Sequence, residues 1–246
     1  MNKSKNQKKV CLVIGGNGIV GKAICKSMMN EWNVLSISRT PNKTIENKWG
    51  EYICDVSKED EFESAVNNIE RNYGQVEVLI NCACIRPMKK SFKDSILNWE
   101  ESILMNSLSL FVPSRIIASR MSKRGHGIIT NVSSIYGMRG PKMNIYRESD
   151  FDTEPDYAYT KSGTIGFTKY LASYLAKDRV RVNAVVLGGI ENNQPESFKK
   201  YYNDRVPLGR MCLKEEIGGI FKFLASKEAS YITGSVICID GGWTAT

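Results

Sequence analysis

The amino-acid sequence predicts an α/β fold, a doubly wound parallel sheet of seven strands with helices on both faces. Three observations carry that prediction. Short β-rich runs alternate with longer amphipathic stretches along the whole chain. The first run ends in a glycine cluster that opens directly into a helical stretch. The length, 246 residues without internal repeat, low-complexity linker or composition break, suits one domain spanning 1 to 246.

In order, Lys9 to Ile14 reads as a strand and Gly18 to Asn30 as a helix, followed by strands Asn33 to Ser38 and Tyr52 to Cys54. Lys58 to Tyr73 is helical in pattern, Val76 to Ile80 a strand, Trp99 to Met121 a helix and Gly127 to Val132 a strand. Tyr157 to Ala176 is a helix, Val180 to Val186 a strand, Leu213 to Ala225 a helix, and Ser235 to Ile239 the last strand. Two segments lack periodicity, 137 to 156 and 188 to 211. Both follow strands at the carboxyl edge, where ligands of open α/β sheets bind, so both are expected to be substrate lids. Residues 1 to 8, with Lys3, Lys5 and Lys8, read as a basic solvated tail.

With 42% hydrophobic and 24% charged residues the composition is that of an ordinary globule and excludes disorder for most of the chain. The formal net charge of +8 suits an anionic small ligand. Nucleic-acid binding needs a basic stripe with interleaved aromatics, and none is present, so no such partner is expected. The apolar run Val10 to Ile14 is cut by Gly15 and Gly16, too early for a signal core or a membrane span. No membrane partner is expected and the location is expected to be cytoplasmic. Seven scattered cysteines read as reduced thiols. Cys82 and Cys84 form a CxC pair, but with His126 the single histidine and no second cysteine pair, no metal site is expected. His126 reads as a surface turn residue.

The glycine cluster is Gly15, Gly16, Asn17, Gly18, Ile19, Val20 and Gly21. Glycines there permit a tight turn and let a pyrophosphate reach backbone N–H groups at the positive end of the helix, the signature of a Rossmann-type dinucleotide site. Sites that prefer NAD place a carboxylate at the end of the second strand. Here that strand ends Ser38, Arg39. Without a carboxylate to repel a 2′-phosphate, and with a guanidinium able to pair with one, the expected cofactor is NADP(H), with NAD(H) as the second choice. A solvated loop charge is the other reading of Arg39.

Tyr157 and Lys161 stand four apart on one helix face. That pairing suits proton transfer to a carbonyl oxygen, because an ammonium nearby stabilises a phenolate. Ser134 ends a strand at the same sheet edge, where a hydroxyl can donate a hydrogen bond to a substrate oxygen as charge grows on it.

Taken together, these residues closely resemble the short-chain dehydrogenase/reductase family in its shorter single-domain subclass. The resemblance runs from Val10 to Gly242 and includes the glycine loop, Asp55 in CDVS, Asn81 ending LIN, Asn106 in MN, Ser134 ending NVSS, YAYTK at Tyr157 to Lys161, RVNAV at Arg181 to Val185 and the closing ITGSVICIDGGW. It implies Tyr157 as general acid/base, Ser134 as the donor orienting the carbonyl or hydroxyl, Lys161 on the nicotinamide ribose, and Asn106 keeping the water of a proton relay. Asp55 and Val56 would meet the adenine, and Asn81, Cys82 and Ala83 would flank the adenosine ribose. Gly188 and Ile190 would line the nicotinamide pocket. A homodimer or homotetramer is likewise implied.

The chain departs from the family pattern in three places. Gly15, Gly18 and Gly21 follow the spacing of the longer sugar-nucleotide subclass, with Ile19 where the shorter subclass has glycine. The usual NNAG is NCAC at Asn81 to Cys84, and the proline and glycine after the sixth strand are Leu187 and Gly188. Moreover, Tyr157 stands 23 positions after Ser134, further than in most members. The extra segment, about 143 to 155, carries Tyr146, Arg147, Glu148, Asp150, Asp152 and Glu154. So polar an insert suits a hydrophilic, sugar-like substrate met by Ser134, Tyr146, Arg147 and Gly189, and it resembles inserts of members linked to bacterial sugar and surface-polysaccharide modification. A solvated surface loop is the alternative. The expected function is an NADP(H)-dependent oxidoreductase interconverting a secondary alcohol and a ketone on a small polar substrate. The alternatives are a 3-oxoacyl reductase acting on a carrier-bound thioester and a non-catalytic nucleotide-sensing or scaffold protein.

Overall fold

Five consecutive apolar residues form β1 (Val10–Ile14) in the interior of the sheet, and all five are buried because helices cover both faces. Successive side chains of a strand point to opposite faces, so one apolar run serves two cores. Leu12 and Ile14 join Phe62, Val66, Ile117 and Leu171 on one side, while Cys11 and Val13 join Ile24, Met28, Ile217 and Phe221 on the other. The computed structural model describes residues 8–41, 49–148 and 152–246. Lys3 and Lys5 of the expected tail and Asp150 of the insert lie outside the described residues.

Six further strands, β2 (Asn33–Ser38), β3 (Gly50–Ile53), β4 (Val76–Asn81), β5 (Gly127–Ser134), β6 (Val180–Leu187) and β7 (Val236–Ile239), complete a sheet of order β3-β2-β1-β4-β5-β6-β7. Every neighbouring pair is parallel. β1 lies between β2 and β4, with Ile14 opposite Ile37 on one side and Asn81 on the other. The strand order reverses there, which opens a crevice at the carboxyl ends.

Helices α2 (Glu59–Tyr73), α3 (Ile96–Arg124) and α4 (Pro155–Leu175) cover one face, and α1 (Ile19–Met28) and α6 (Lys214–Ala225) the other. The last two approach closely at Gly218, where an added Cβ would lie 2.2 Å from the Cβ of Ser27. α3 is longer than its pattern indicates. Ser95 caps it by accepting the Leu97 N–H at 3.2 Å, and Gly125, in the left-handed region at φ 73°, ends it. By length and composition α3 could cross a membrane, but here it packs along β4, β5 and α4.

One expectation is corrected. The segment 188 to 211 is not wholly irregular, since α5 (Glu196–Arg205) forms within it. Only Phe198 and Tyr202 of that helix are buried, and with two apolar anchors among charged neighbours the helical period is too faint to read. Tyr202 stacks on Trp243 at 4.8 Å, fixing α5 over the end of the sheet.

Candidate active site

A cleft of about 900 Å³ occupies the crevice. Its floor is the turn from β1 into α1, where glycine is required. Gly15 has φ +83°, and a Cβ there would lie 2.7 Å from the Ala83 backbone; on Gly21 it would lie 2.1 Å from the Gly15 oxygen. At Gly18 a Cβ would make only an ordinary contact with the Gly15 oxygen, at 3.5 Å, so the turn would admit a side chain there. The first turn of α1 carries no side-chain cap and no acidic residue, so its N–H groups remain available to an anion. Asn17 ties the turn to its surroundings. Its N–H donates to Ser38 Oγ at 3.3 Å, and its amide donates to the Thr40 carbonyl at 2.8 Å and to Glu51.

Ser38, Arg39, Asp55 and Val56 line the adjoining wall with Ile19 and Val20. Arg39 is exposed at the mouth. Burial pushes the Asp55 carboxyl up, but hydrogen bonds from the Ser57 hydroxyl (2.7 Å) and N–H (3.0 Å), with the charges of Arg39 and Lys58, hold it below its ordinary value.

Across the cleft, α4 begins at Pro155, which places Tyr157 in its first turn and Lys161 one turn on. Lys161 is buried and donates to the Val132 carbonyl at 3.0 Å. Burial pulls its pKa down, yet Cys84, Tyr157 and Cys82 outweigh that and leave it raised, so the ammonium stays charged. Its Nζ lies 5.8 Å from the centre of the Tyr157 ring. The Arg86 guanidinium stands over the same ring at 4.6 Å. Ser133 spends its hydroxyl proton on the Lys161 carbonyl at 2.8 Å. Ser134 instead accepts the Tyr136 N–H at 3.3 Å, and its own proton has no acceptor among the described residues.

The structure thus brings Gly15, Asn17, Gly18, Ile19, Val20, Gly21, Ser38, Arg39, Asp55, Val56, Cys82, Ala83, Tyr157, Lys161, Gly188 and Ile190 to one cleft. The other sequence candidates lie beside it: Ser133 is on the cleft lining, while Ser134 is buried next to it. Asn81 turns under α3 rather than into the cleft, donating to Ser114 Oγ (3.0 Å) and Asn131 Oδ1 (2.8 Å). Asn81 and Asn106 line a separate cavity of about 20 Å³ that also meets Lys161, enough for one water molecule. Gly189 is filled from behind by Tyr202, whose hydroxyl accepts its N–H at 2.6 Å. Tyr146 shares a 2.6 Å hydrogen bond with Tyr136, and Arg147 lies over the Tyr201 ring at 4.1 Å on the surface. Much of the insert therefore packs on α5, with Tyr146 against Phe198 and the Tyr201 hydroxyl donating to Glu148 at 2.5 Å.

Two features were missed by reading the sequence. Arg86 follows the NCAC segment at the carboxyl edge, where position alone was the available signal, and Glu154 of the insert holds it at 3.0 Å. Below Asn106, Ser102 receives its amide at 3.1 Å and donates to Asp156. Nothing in the periodicity marks that chain. The cysteines are free, with Cys84 exposed; burial pushes the Cys82 thiol up to about 12.

The family model described as enoyl-(acyl carrier protein) reductase matches residues 36–244. Nodulation protein G of Azospirillum brasilense is 33% identical over 249 residues, covering 95% of this chain and 97% of that protein. The 3-oxoacyl-[acyl-carrier-protein] reductase FabG of Aquifex aeolicus is 33% identical over 253 residues, covering 97% and 98%. Among solved structures, a short chain dehydrogenase from Leptospira borgpetersenii with bound NAD+ superposes with a TM-score of 0.89 at 31% identity, covering 99% of this chain and 98% of the other.

Proposed function

Because the chain belongs to the short-chain dehydrogenase/reductase family of oxidoreductases, we propose that it interconverts a secondary alcohol and a ketone on a small, polar, sugar-like substrate with NADP(H). The observation that carries the reading is Tyr157 at the cleft wall between two cations, Lys161 and Arg86. Lying beside both cations, the phenol can give a proton to a ketone oxygen and take one from an alcohol. Ser134, with an uncommitted hydroxyl proton, orients that oxygen.

The residues present fit a dinucleotide, since Gly15 and Gly21 admit no side chain in the cradle and the first turn of α1 offers unpaired N–H groups. Gly15, Asn17, Gly18, Ile19 and Gly21 would hold the pyrophosphate, Asp55, Val56, Cys82 and Ala83 the adenosine, and Lys161, Gly188 and Ile190 the nicotinamide end. The nicotinamide supplies or accepts the hydride that accompanies the Tyr157 proton. Arg39, exposed at the mouth near Asp55, favours the 2′-phosphate of NADP(H) over NAD(H).

A 3-oxoacyl reductase acting on a carrier-bound thioester is the second reading, supported by the family model and by the FabG relative. A purely nucleotide-sensing role has no use for Ser134, Tyr157, Lys161 and Asn106 together. Exposed Leu104, Phe111, Tyr170 and Tyr174 on α3 and α4 suit pairing into a homodimer or homotetramer. A cytoplasmic location agrees with seven reduced cysteines. Parallel fluorescence titrations with NADPH and NADH, then turnover on paired polar ketones and 3-oxoacyl thioesters, test the reading. Nucleotide binding without oxidation by any ketone would defeat it.

A further inference from the structure

The reacting end of the cleft is lined by two cations, Arg86 and Lys161, whereas Asp55, the acidic residue on the lining, stands at the adenosine end beside Arg39. Lys161 is buried and committed to the Val132 carbonyl. Arg86 differs on both counts. Its side chain is 46% accessible, while its partner Glu154 is only 10% accessible, so the arginine is held from behind and presented to the cleft. A guanidinium carries five N–H donors. Among the described residues Arg86 makes one hydrogen bond, from Nη2 to Glu154 Oε2 at 3.0 Å. The remaining donors surround a planar cation seated 4.6 Å above the ring whose hydroxyl serves the substrate oxygen.

We propose that Arg86 is a substrate-binding residue that reads an oxyanion, a carboxylate or a phosphate, placed a few bonds from the carbonyl that Tyr157 serves. The substrate is therefore an anionic keto or hydroxy compound. This inference deepens the oxidoreductase reading above and rests on it. The guanidinium fork matches the two coplanar oxygens of a carboxylate and two oxygens of a phosphate equally well. Its closeness to Tyr157 limits the span between anion and carbonyl. The insert gains a role, since Glu154 belongs to it and fixes the arginine.

The test is steady-state reduction at saturating NADPH and fixed neutral pH of two matched pairs. Levulinate against methyl levulinate probes a carboxylate, and dihydroxyacetone phosphate against dihydroxyacetone probes a phosphate. The wild-type protein is expected to favour the anionic member of one pair by tenfold or more in kcat/KM, and the pair that responds identifies the oxyanion. Arg86→Gln should bring that ratio close to one, chiefly by raising KM for the anion, and Arg86→Lys should retain part of it. Glu154→Gln keeps a side-chain oxygen to accept from Arg86 and so holds it in place, but removes the competing negative charge; the ratio should rise severalfold, and this decides the matter if Arg86→Gln does not fold. No anionic preference in either pair, an equal loss on both members in Arg86→Gln, or an unchanged or lower ratio in Glu154→Gln overturns the inference alone. Binding of NADPH with no reduction of any of the four ketones overturns the oxidoreductase reading and this inference with it.

Discussion

Asn106 clasps Ile85 by two hydrogen bonds that run in opposite directions: the Ile85 N–H donates to Oδ1 at 2.8 Å, and Nδ2 donates to the Ile85 carbonyl at 3.0 Å. The clasp ties the loop carrying Cys84 and Arg86 to the middle of α3. Asn106→Ala leaves both backbone groups of Ile85 without a partner, so a stability loss of about 1–3 kcal/mol is expected in urea unfolding, with reduced turnover. A variant as stable as the parent would show that the loop is held elsewhere.

Tyr157→Phe keeps the ring between Arg86 and Lys161 and removes the hydroxyl. Turnover should fall by roughly 10²–10⁴-fold, the range general acid–base groups supply, while NADPH still quenches protein fluorescence at the parent concentration. Retained turnover would mean that the proton comes from another group.

Arg39→Asp places a carboxylate at the cleft mouth beside Asp55. Nucleotide preference should move toward NADH by tenfold or more, about 1.4 kcal/mol, in competitive titrations. An unchanged NADPH to NADH ratio assigns Arg39 to solvent.

Two adjacent glycines of α6 should respond in opposite senses. Gly218 faces Ser27, where a Cβ would sit at 2.2 Å, so Gly218→Ala must push α1 and α6 apart and lower Tm. Gly219 has nothing within 4 Å of such a Cβ, and Gly219→Ala should stabilise the helix by about 0.5–1 kcal/mol. Thermal unfolding of the two variants side by side checks the contact.

Hydrogen bonds from Arg210 and from the Leu213 N–H hold the Glu216 carboxyl at about 2, well below its ordinary 4.5. A depressed carboxylate stabilises the fold above its unfolded value and loses that contribution as pH falls through the folded one. Stability should therefore decline between about 4.5 and about 2, and Glu216→Gln should flatten that part of an acid-unfolding profile. An identical slope in the variant would remove Glu216 from the account.

The strands and the long helices were legible because each apolar run serves either two cores, as in β1, or one periodic face, as in α2. α5 was not, because Phe198 and Tyr202 alone anchor it. The glycine positions of the site could be read because steric demand restricts residue type, as at Gly15 and Gly21. Asn81 shows where such reading stops, since a side chain at a strand end can turn into the cleft or in beneath a covering helix, and this one turns toward Ser114 and Asn131. Arg86 lay beyond reach for a related reason. An arginine in a loop becomes informative only when a partner distant in sequence, here Glu154, fixes where its charge stands.

The parallel sheet has a consequence in time. With every neighbouring pair parallel, no hairpin can seed it, and β1 cannot meet β4 until the chain as far as Val76 is available. Contacts so distant along the chain make assembly slow. Synthesis proceeds from the N-terminus, so the glycine cradle at Gly15 is on hand long before α4 delivers Tyr157 and Lys161. A nascent chain can offer a perch for phosphate while it still lacks its acid, and chemical competence comes only when α4, more than a hundred residues further on, packs against the sheet.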